Sequence, residues 1–153
     1  MEVYWLSILG VLVLCLLSVV SAVYSGSSKG FAGALAGPVV PADDDNRLYR
    51  IDRVHMNSVE ALAPFIVPAA LAMMVGVGAA TLAILVWTHL AIRLLHLGVY
   101  LRGGNAAKGG SVRTILYVSG ALVTFALILV TGWQRSIKVA PLRGGYKFAT
   151  LGG

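Results

Sequence analysis

Two groups of ionisable side chains lie inside or beside long apolar runs of this chain, where such groups are costly and mark functional sites. The first reads Arg50-Ile51-Asp52-Arg53-Val54-His55-Met56-Asn57-Ser58-Val59-Glu60. At ~100° per residue on an α-helix, Arg50, Arg53, Asn57 and Glu60 fall within roughly 80° of one another. They form one stripe of guanidinium forks, an amide and a carboxylate. Such a set can grip a small zwitterion that bears carboxylates and an ammonium group. The same spacing equally suits an internal ladder, Arg53 to Asn57 and Glu60, that ties helices together. The second group is His89, Arg93, His96 and Tyr100, which share a face within about 60°. That face must meet protein or a water-filled cavity, because lipid does not tolerate Arg93. A third element, Gly110-Ser111-Val112-Arg113-Thr114, puts a guanidinium near the mouth of a bundle. If successive helices alternate in direction, all three polar sets meet at one membrane face.

Other chemistries fit these residues less well. His89 and His96 lie two turns apart on one helix and cannot be both axial ligands of one haem. Asp43-Asp44-Asp45-Asn46 reads as a solvated helix cap and not as a metal site. The single cysteine, Cys15, has no disulfide partner and no metal spacing. It reads as a small packing residue, so any thiol chemistry must come from a ligand. The net charge of +6 is scattered over connections and tail without aromatic interleaving. It points to lipid headgroups and membrane orientation, not to nucleic acid.

The elements that position these groups follow from the apolar runs. Of the 153 residues 58% are hydrophobic and only 12% charged, whereas a soluble domain carries about 25% charged residues. Residues 3–23, 61–88 and 114–134 hold no charge at all. About 20 apolar residues cross a hydrocarbon core, and in lipid such spans must be helical. The expected fold is an all-α integral membrane four-helix bundle, one domain over residues 1–136, with helices at about 4–24, 48–75, 79–101 and 112–136. The first run carries Glu2 and no Lys or Arg ahead of it, which favours a retained span over a signal peptide. Residues 25–47 read as a connection broken by Pro38 and Pro41. Gly76-Val77-Gly78 reads as a tight turn, and residues 137–153 as a basic, Gly-rich tail without regular structure. Lys29, Arg47, Arg102, Lys108 and Arg113 in the two loops argue for a cytoplasmic loop side. The basic tail argues the other way, and the loops, earlier in the chain, carry more weight.

The motifs resemble those of the MAPEG family, which contains microsomal glutathione transferase, prostaglandin E synthase and leukotriene C synthase. Arg53-Val54-His55-Met56-Asn57-Ser58-Val59-Glu60-Ala61-Leu62-Ala63-Pro64-Phe65 is similar to its helix 2 signature. Arg93-Leu94-Leu95-His96-Leu97-Gly98-Val99-Tyr100-Leu101 is similar to its helix 3 pattern. Arg113-Thr114, followed by Tyr117 and Gly120, resembles the start of its helix 4. The resemblance covers about residues 48–129. It implies a homotrimer of four-helix protomers that binds glutathione between subunits near the cytoplasmic face. By position, Arg50, Arg53, Asn57 and Glu60 would hold glutathione, with His55 close by and His96 and Tyr100 lining the site. Arg113 matches the arginine that stabilises the glutathione thiolate. The implied activity is a membrane-bound glutathione transferase or peroxidase acting on a lipophilic electrophile or peroxide that arrives laterally from the lipid. The Ala/Gly/Val-rich composition suits a bacterial inner membrane.

Three features depart from that pattern: residues 25–46 match nothing in the family, Asp52 replaces a basic residue, and Ala61 stands where some members have tyrosine. They leave room for an alternative, a non-catalytic structural subunit of a larger membrane complex. A transporter lined by the stripes lacks the broken helices such proteins use.

Overall fold

The computed structural model describes residues 2–33, 41–102 and 110–143, together with side chains outside 110–111 and 137–143. After a 3-10 turn at Glu2–Tyr4 come four helices: α1 (Trp5–Phe31), α2 (Arg47–Val75), α3 (Ala79–Arg102) and α4 (Gly110–Arg143). There is no strand among the described residues. All four helices are long and apolar enough to cross a membrane. Their outward faces are apolar, with Leu12, Leu16, Ile84, Leu122 and Phe125 among many exposed large side chains. That is the surface a lipid solvent demands.

The sequence sets the helix ends. Asn46 caps α2, its side chain accepting from the Leu48 N–H, which satisfies one of the donors orphaned at a helix start. Gly76 ends α2 in the left-handed conformation, φ 76°, which glycine adopts without a Cβ penalty. Two bonds close the bundle around this α2–α3 turn, and a third joins α3 to α1. Tyr4 donates its hydroxyl to the Val77 carbonyl at 2.7 Å. Gln134 donates to the Gly76 carbonyl at 3.3 Å, and Trp87 Nε1 donates to the Leu6 carbonyl at 3.2 Å.

Helices α2 and α3 form the centre, with α1 and α4 each packed against both. The core joins Leu14 of α1, Phe65, Ala69 and Ala72 of α2, Leu82, Val86 and Leu90 of α3, and Leu127 of α4. Helix α1 presents Ser7, Gly10, Leu14, Ser18, Ser21 and Ser25 as its buried residues. Small residues on one face let backbones approach closely within a membrane, where apolar contact alone drives little association. The approach is tightest at Gly10, where an added Cβ would clash with Val86 Cγ1.

Two helices run further than the apolar runs indicate. Helix α1 continues past Tyr24 to Phe31, although Ser25-Gly26-Ser27-Ser28 are poor helix formers. Tertiary contacts override that propensity: Ser25 donates to Asp52 Oδ1 at 3.1 Å, and Lys29 pairs with the same carboxylate. Tyr24 also accepts from Arg47 at 2.9 Å. These contacts bind the extra turns to α2. At the other end, α4 continues to Arg143, so the expectation of an irregular tail from residue 137 is corrected for 137–143. Residues 137–140 contain no glycine or proline, and Pro141 stands in the last turn of the helix. Residues 144–153 lie outside the described ones.

The Gly10 contact yields the first prediction. Gly10→Ala forces Val86 or the α1 backbone to move, at a cost of about 1–3 kcal/mol for overpacking. Thermal unfolding of the purified variant in detergent should occur at a clearly lower temperature than wild type. An unchanged melting temperature would mean that α1 and α3 do not touch there.

Candidate functional site

The polar ends of α2, α3 and α4 enclose a cavity of about 440 Å³. Helix α2 supplies Tyr49, Arg53, Asn57 and Glu60, and α3 supplies His96 and Tyr100. Helix α4 supplies Arg113, Thr114 and Tyr117, and Asp44 enters from the α1–α2 connection. The three stripes read from helical periodicity therefore end in one place. His89, Arg93, His96 and Tyr100 are all buried, as a polar face inside lipid must be.

Two of the residues that the resemblance assigns to the glutathione site do not line this cavity. Arg50 Nη1 donates to the carbonyls of Asp44 and Asp45, each at 2.9 Å, so it holds the segment that carries Asp44. His55 is half-buried, with Nδ1 enclosed and without a hydrogen-bond partner.

Several lining groups are oriented by neighbours. Asn57 is buried, and its amide oxygen accepts from Arg53 Nη2 at 3.5 Å. The Asn57 backbone carbonyl accepts from Arg93 Nη2 of α3, which ties the middle of α3 to the polar turn of α2. His96 meets Tyr100 edge-on, with ring centroids 5.0 Å apart and planes at 64°. The Arg113 guanidinium lies 5.1 Å from the Tyr100 ring centroid, a cation–π distance.

Sequence patterns missed Tyr49 and, with more consequence, Asp44. It forms a two-pronged pair with Arg113, Oδ1 to Nη1 at 2.9 Å and Oδ2 to Nη2 at 2.8 Å. This fork-to-fork geometry is the strong form of the ion pair. Asp44 sits on a non-helical connection, so no periodicity pairs it with the stripes. The available signal was its place two residues before the capping Asn46, at the end of the bundle where α4 begins. The neighbouring acids have local work: Asp43 Oδ1 accepts from the Asp45 N–H at 2.9 Å, fixing the turn.

A second cavity, of about 260 Å³, adjoins the first deeper in the bundle. Glu60 and Tyr117 line both. Its other walls are Ala61 and Pro64 of α2, His89 and Arg93 of α3, and an apolar stretch of α4 from Gly120 to Ile128. Phe125 and Ile128, on that stretch, are exposed on the outer surface. A polar cavity thus shares a wall with an apolar one that borders the lipid face.

A family model described as the MAPEG family matches residues 3–133. No curated protein and no solved structure matches the chain.

The Asp44–Arg113 pair generates the second prediction. Asp44 holds the Arg113 fork that an anionic ligand would use, so Asp44→Asn should tighten binding of a small anionic probe, such as glutathione, by about threefold or more. Part of a charge-assisted bond no longer has to be exchanged. Calorimetric titration of wild type and variant compares the two affinities directly, and weaker binding by the variant would show that Asp44 assists the ligand.

Proposed function

We propose that this chain, which belongs to the MAPEG family, is a membrane-bound glutathione-dependent transferase or peroxidase that holds the glutathione thiolate for attack on a lipophilic electrophile or peroxide. Family membership by itself supports a membrane glutathione-related transferase or a related role. The observation that carries the finer reading is the 440 Å³ cavity. It gathers two arginines, two carboxylates, an amide, an imidazole and phenols at one end of a membrane bundle. Glutathione offers two carboxylates, one ammonium and a thiol, and this donor set complements all of them.

In this reading Arg53, Asn57 and Glu60 hold the peptide, and His96 and Tyr100 wall the site from α3. Arg113 faces the sulfur. A free thiol has a pKa near 8.5, and an adjacent cation lowers it, so the reactive anion is present at neutral pH. The acceptor approaches from the lipid through the 260 Å³ cavity and meets the sulfur near Glu60 and Tyr117.

Glu60 also bears on assembly. It is exposed in the protomer, one turn before Pro64 on a membrane-spanning helix. A carboxylate facing lipid is expensive, and a neighbouring copy of the chain would cover it. A homotrimer with the site between subunits satisfies this requirement. The basic loops support a cytoplasmic orientation of the site, and the composition suits a bacterial inner membrane.

Two predictions test this function. Arg53→Ala should weaken glutathione binding by more than about tenfold, the equivalent of one charge-assisted hydrogen bond, measured by calorimetry on folded, assembled protein. Unchanged affinity would remove Arg53 from the site. Arg113→Ala should lower turnover of an activated halobenzene strongly while weakening glutathione binding only modestly. Its rate profile should move to higher pH, toward the free-thiol value of about 8.5. Arg113→Lys should retain part of the effect, because a point charge still favours the thiolate but lacks the fork. An unmoved pH profile in Arg113→Ala would instead make Arg113 an interfacial anchor for lipid phosphate.

A further inference from the structure

His89 and Arg93 line the deeper cavity and a small pocket beside Leu14 and Phe65, and take no part in the proposed glutathione site. Both are polar groups well inside a membrane span, His89 lying seven residues, or ~10 Å of helix, below His96. Groups so placed are retained against a large cost. Part of that cost is visibly met within the protein. Arg93 uses Nη2 on the Asn57 carbonyl. The His89 ring stacks on Phe65, with centroids 3.9 Å apart and planes at 12°. It also hydrogen-bonds the Gly120 carbonyl.

What remains of the imidazole is unmet, and Arg93 stands beside it. His89 is 2% exposed, and its Nδ1 is enclosed with no hydrogen-bond partner. With a ring N–H committed to the Gly120 carbonyl, Nδ1 of the neutral imidazole is an acceptor. Gly120 has no side chain, and the point where its Cβ would stand is 3.9 Å from Arg93 Nη1 and 3.9 Å from His89 Cε1. Cε1 lies between the two ring nitrogens, so the polar edge of the imidazole faces that point. An oxygen seated ~1 Å nearer Arg93 Nη1 than that Cβ would be within its hydrogen-bond reach of ~2.9 Å, beside the Cε1 edge of the imidazole next to Nδ1. Arg93 offers it a donor, and His89 offers its hydrogen an acceptor.

We propose that His89 and Arg93 form a deep polar station that selects, among lipophilic molecules entering the 260 Å³ cavity, those carrying an O–H group that both donates and accepts, a hydroxyl or a hydroperoxyl. The station orients the acceptor and touches neither sulfur nor glutathione. The inference rests on the proposed function only in taking the bound molecule to be the co-substrate of glutathione. An unmet acceptor in a low-dielectric interior is costly, which is why a ligand hydroxyl is preferred there to an ether or a hydrocarbon of the same length.

The test uses the full chain in lipid nanodiscs with nitrogen-labelled histidine, the His89 resonances being assigned by comparison with His89→Phe. The probes are a saturated long-chain primary alcohol and its methyl ether. Gly120→Ala is the blocking variant. Its methyl meets Ile92 Cγ2 at an ordinary 3.6 Å, and alanine favours a helix over glycine, so the fold is kept. In wild type the alcohol should move the His89 Nδ1 resonance in the direction of an accepted hydrogen bond. The ether should not move it, and Gly120→Ala should abolish the response. In kinetics, Gly120→Ala should lower kcat/KM for a long-chain hydroperoxide by at least about tenfold, with an alkyl iodide of equal length changed less than about twofold. No response to the alcohol, an equal response to the ether, or a response that persists in Gly120→Ala would overturn the station. Glutathione titration of the same samples keeps the two readings apart. Absent glutathione binding sinks the proposed function, whereas the nitrogen response to the alcohol alone decides the station.

Discussion

The guanidinium of Arg93, docked on the Asn57 carbonyl inside the bilayer, is the interaction on which the polar architecture of this protein depends. A cation at that depth must find its partners within the bundle, and it finds one on the backbone of α2. The bond fixes the register of α3 on α2. With that register set, His96 and Tyr100 arrive opposite Arg53 and Asn57, and Arg113 of α4 closes over Tyr100. Leaving Arg93 unpaired would cost several kcal/mol, so the polar stripe and the packing of the two central helices stand or fall together. Helix α2 carries a further peculiarity beside this contact. Pro64 has no N–H to give the Glu60 carbonyl, and Pro68 none to give the Pro64 carbonyl, so the helix leaves backbone acceptors open just below the cavity.

The opposite end of the molecule is closed by different means. There the chain has almost no charge, and the α2–α3 turn is held by neutral donors, Tyr4 and Gln134, brought from the start of α1 and the far part of α4. The two ends divide the labour. One is packed and sparsely charged, with Glu2 and Arg135 near it, and is held by a few hydrogen bonds to a glycine turn. The other is open and charged, and its ion pairs, Asp44 with Arg113 and Lys29 with Asp52, join elements distant in sequence.

Much of this was legible in the sequence because lipid enforces simple rules. Uncharged runs of span length demand helices, and the 3.6-residue period then puts Arg53, Asn57 and Glu60 on one face and His96 and Tyr100 on another. What periodicity cannot reach is structure made by contacts between elements. Asp44 lies outside any helix, so its pairing with Arg113 has no spacing rule behind it. The extra turns of α1 beyond Tyr24 contradict the local propensities of serine and glycine and exist because Asp52 collects Ser25 and Lys29. Arg50 belongs to the same stripe as Arg53, yet turns back to the connection, because the carbonyls of Asp44 and Asp45 lie nearer than the cavity. The family resemblance supplied Tyr117 and Gly120 as motif positions, but only the packed helices show Tyr117 in the wall between two cavities and Gly120 leaving room beside His89.

The length of α4 has a mechanical consequence. Its 34 residues measure ~51 Å at ~1.5 Å per residue, while a hydrocarbon core is only ~30 Å thick and a whole bilayer about 40–45 Å. Its apolar part alone, Val112–Ser136 with 25 residues, is ~37 Å long. The surplus must be absorbed by leaning the rod over, by thickening the surrounding lipid, or by letting its basic end stand clear of the headgroups, each at a fraction of a kcal/mol per Å. The α2–α3 hairpin, pinned to α4 through Gln134, has to share whatever inclination α4 adopts. Bilayer thickness thereby becomes a load on the bundle, transmitted along a single stiff member from one membrane surface to the other.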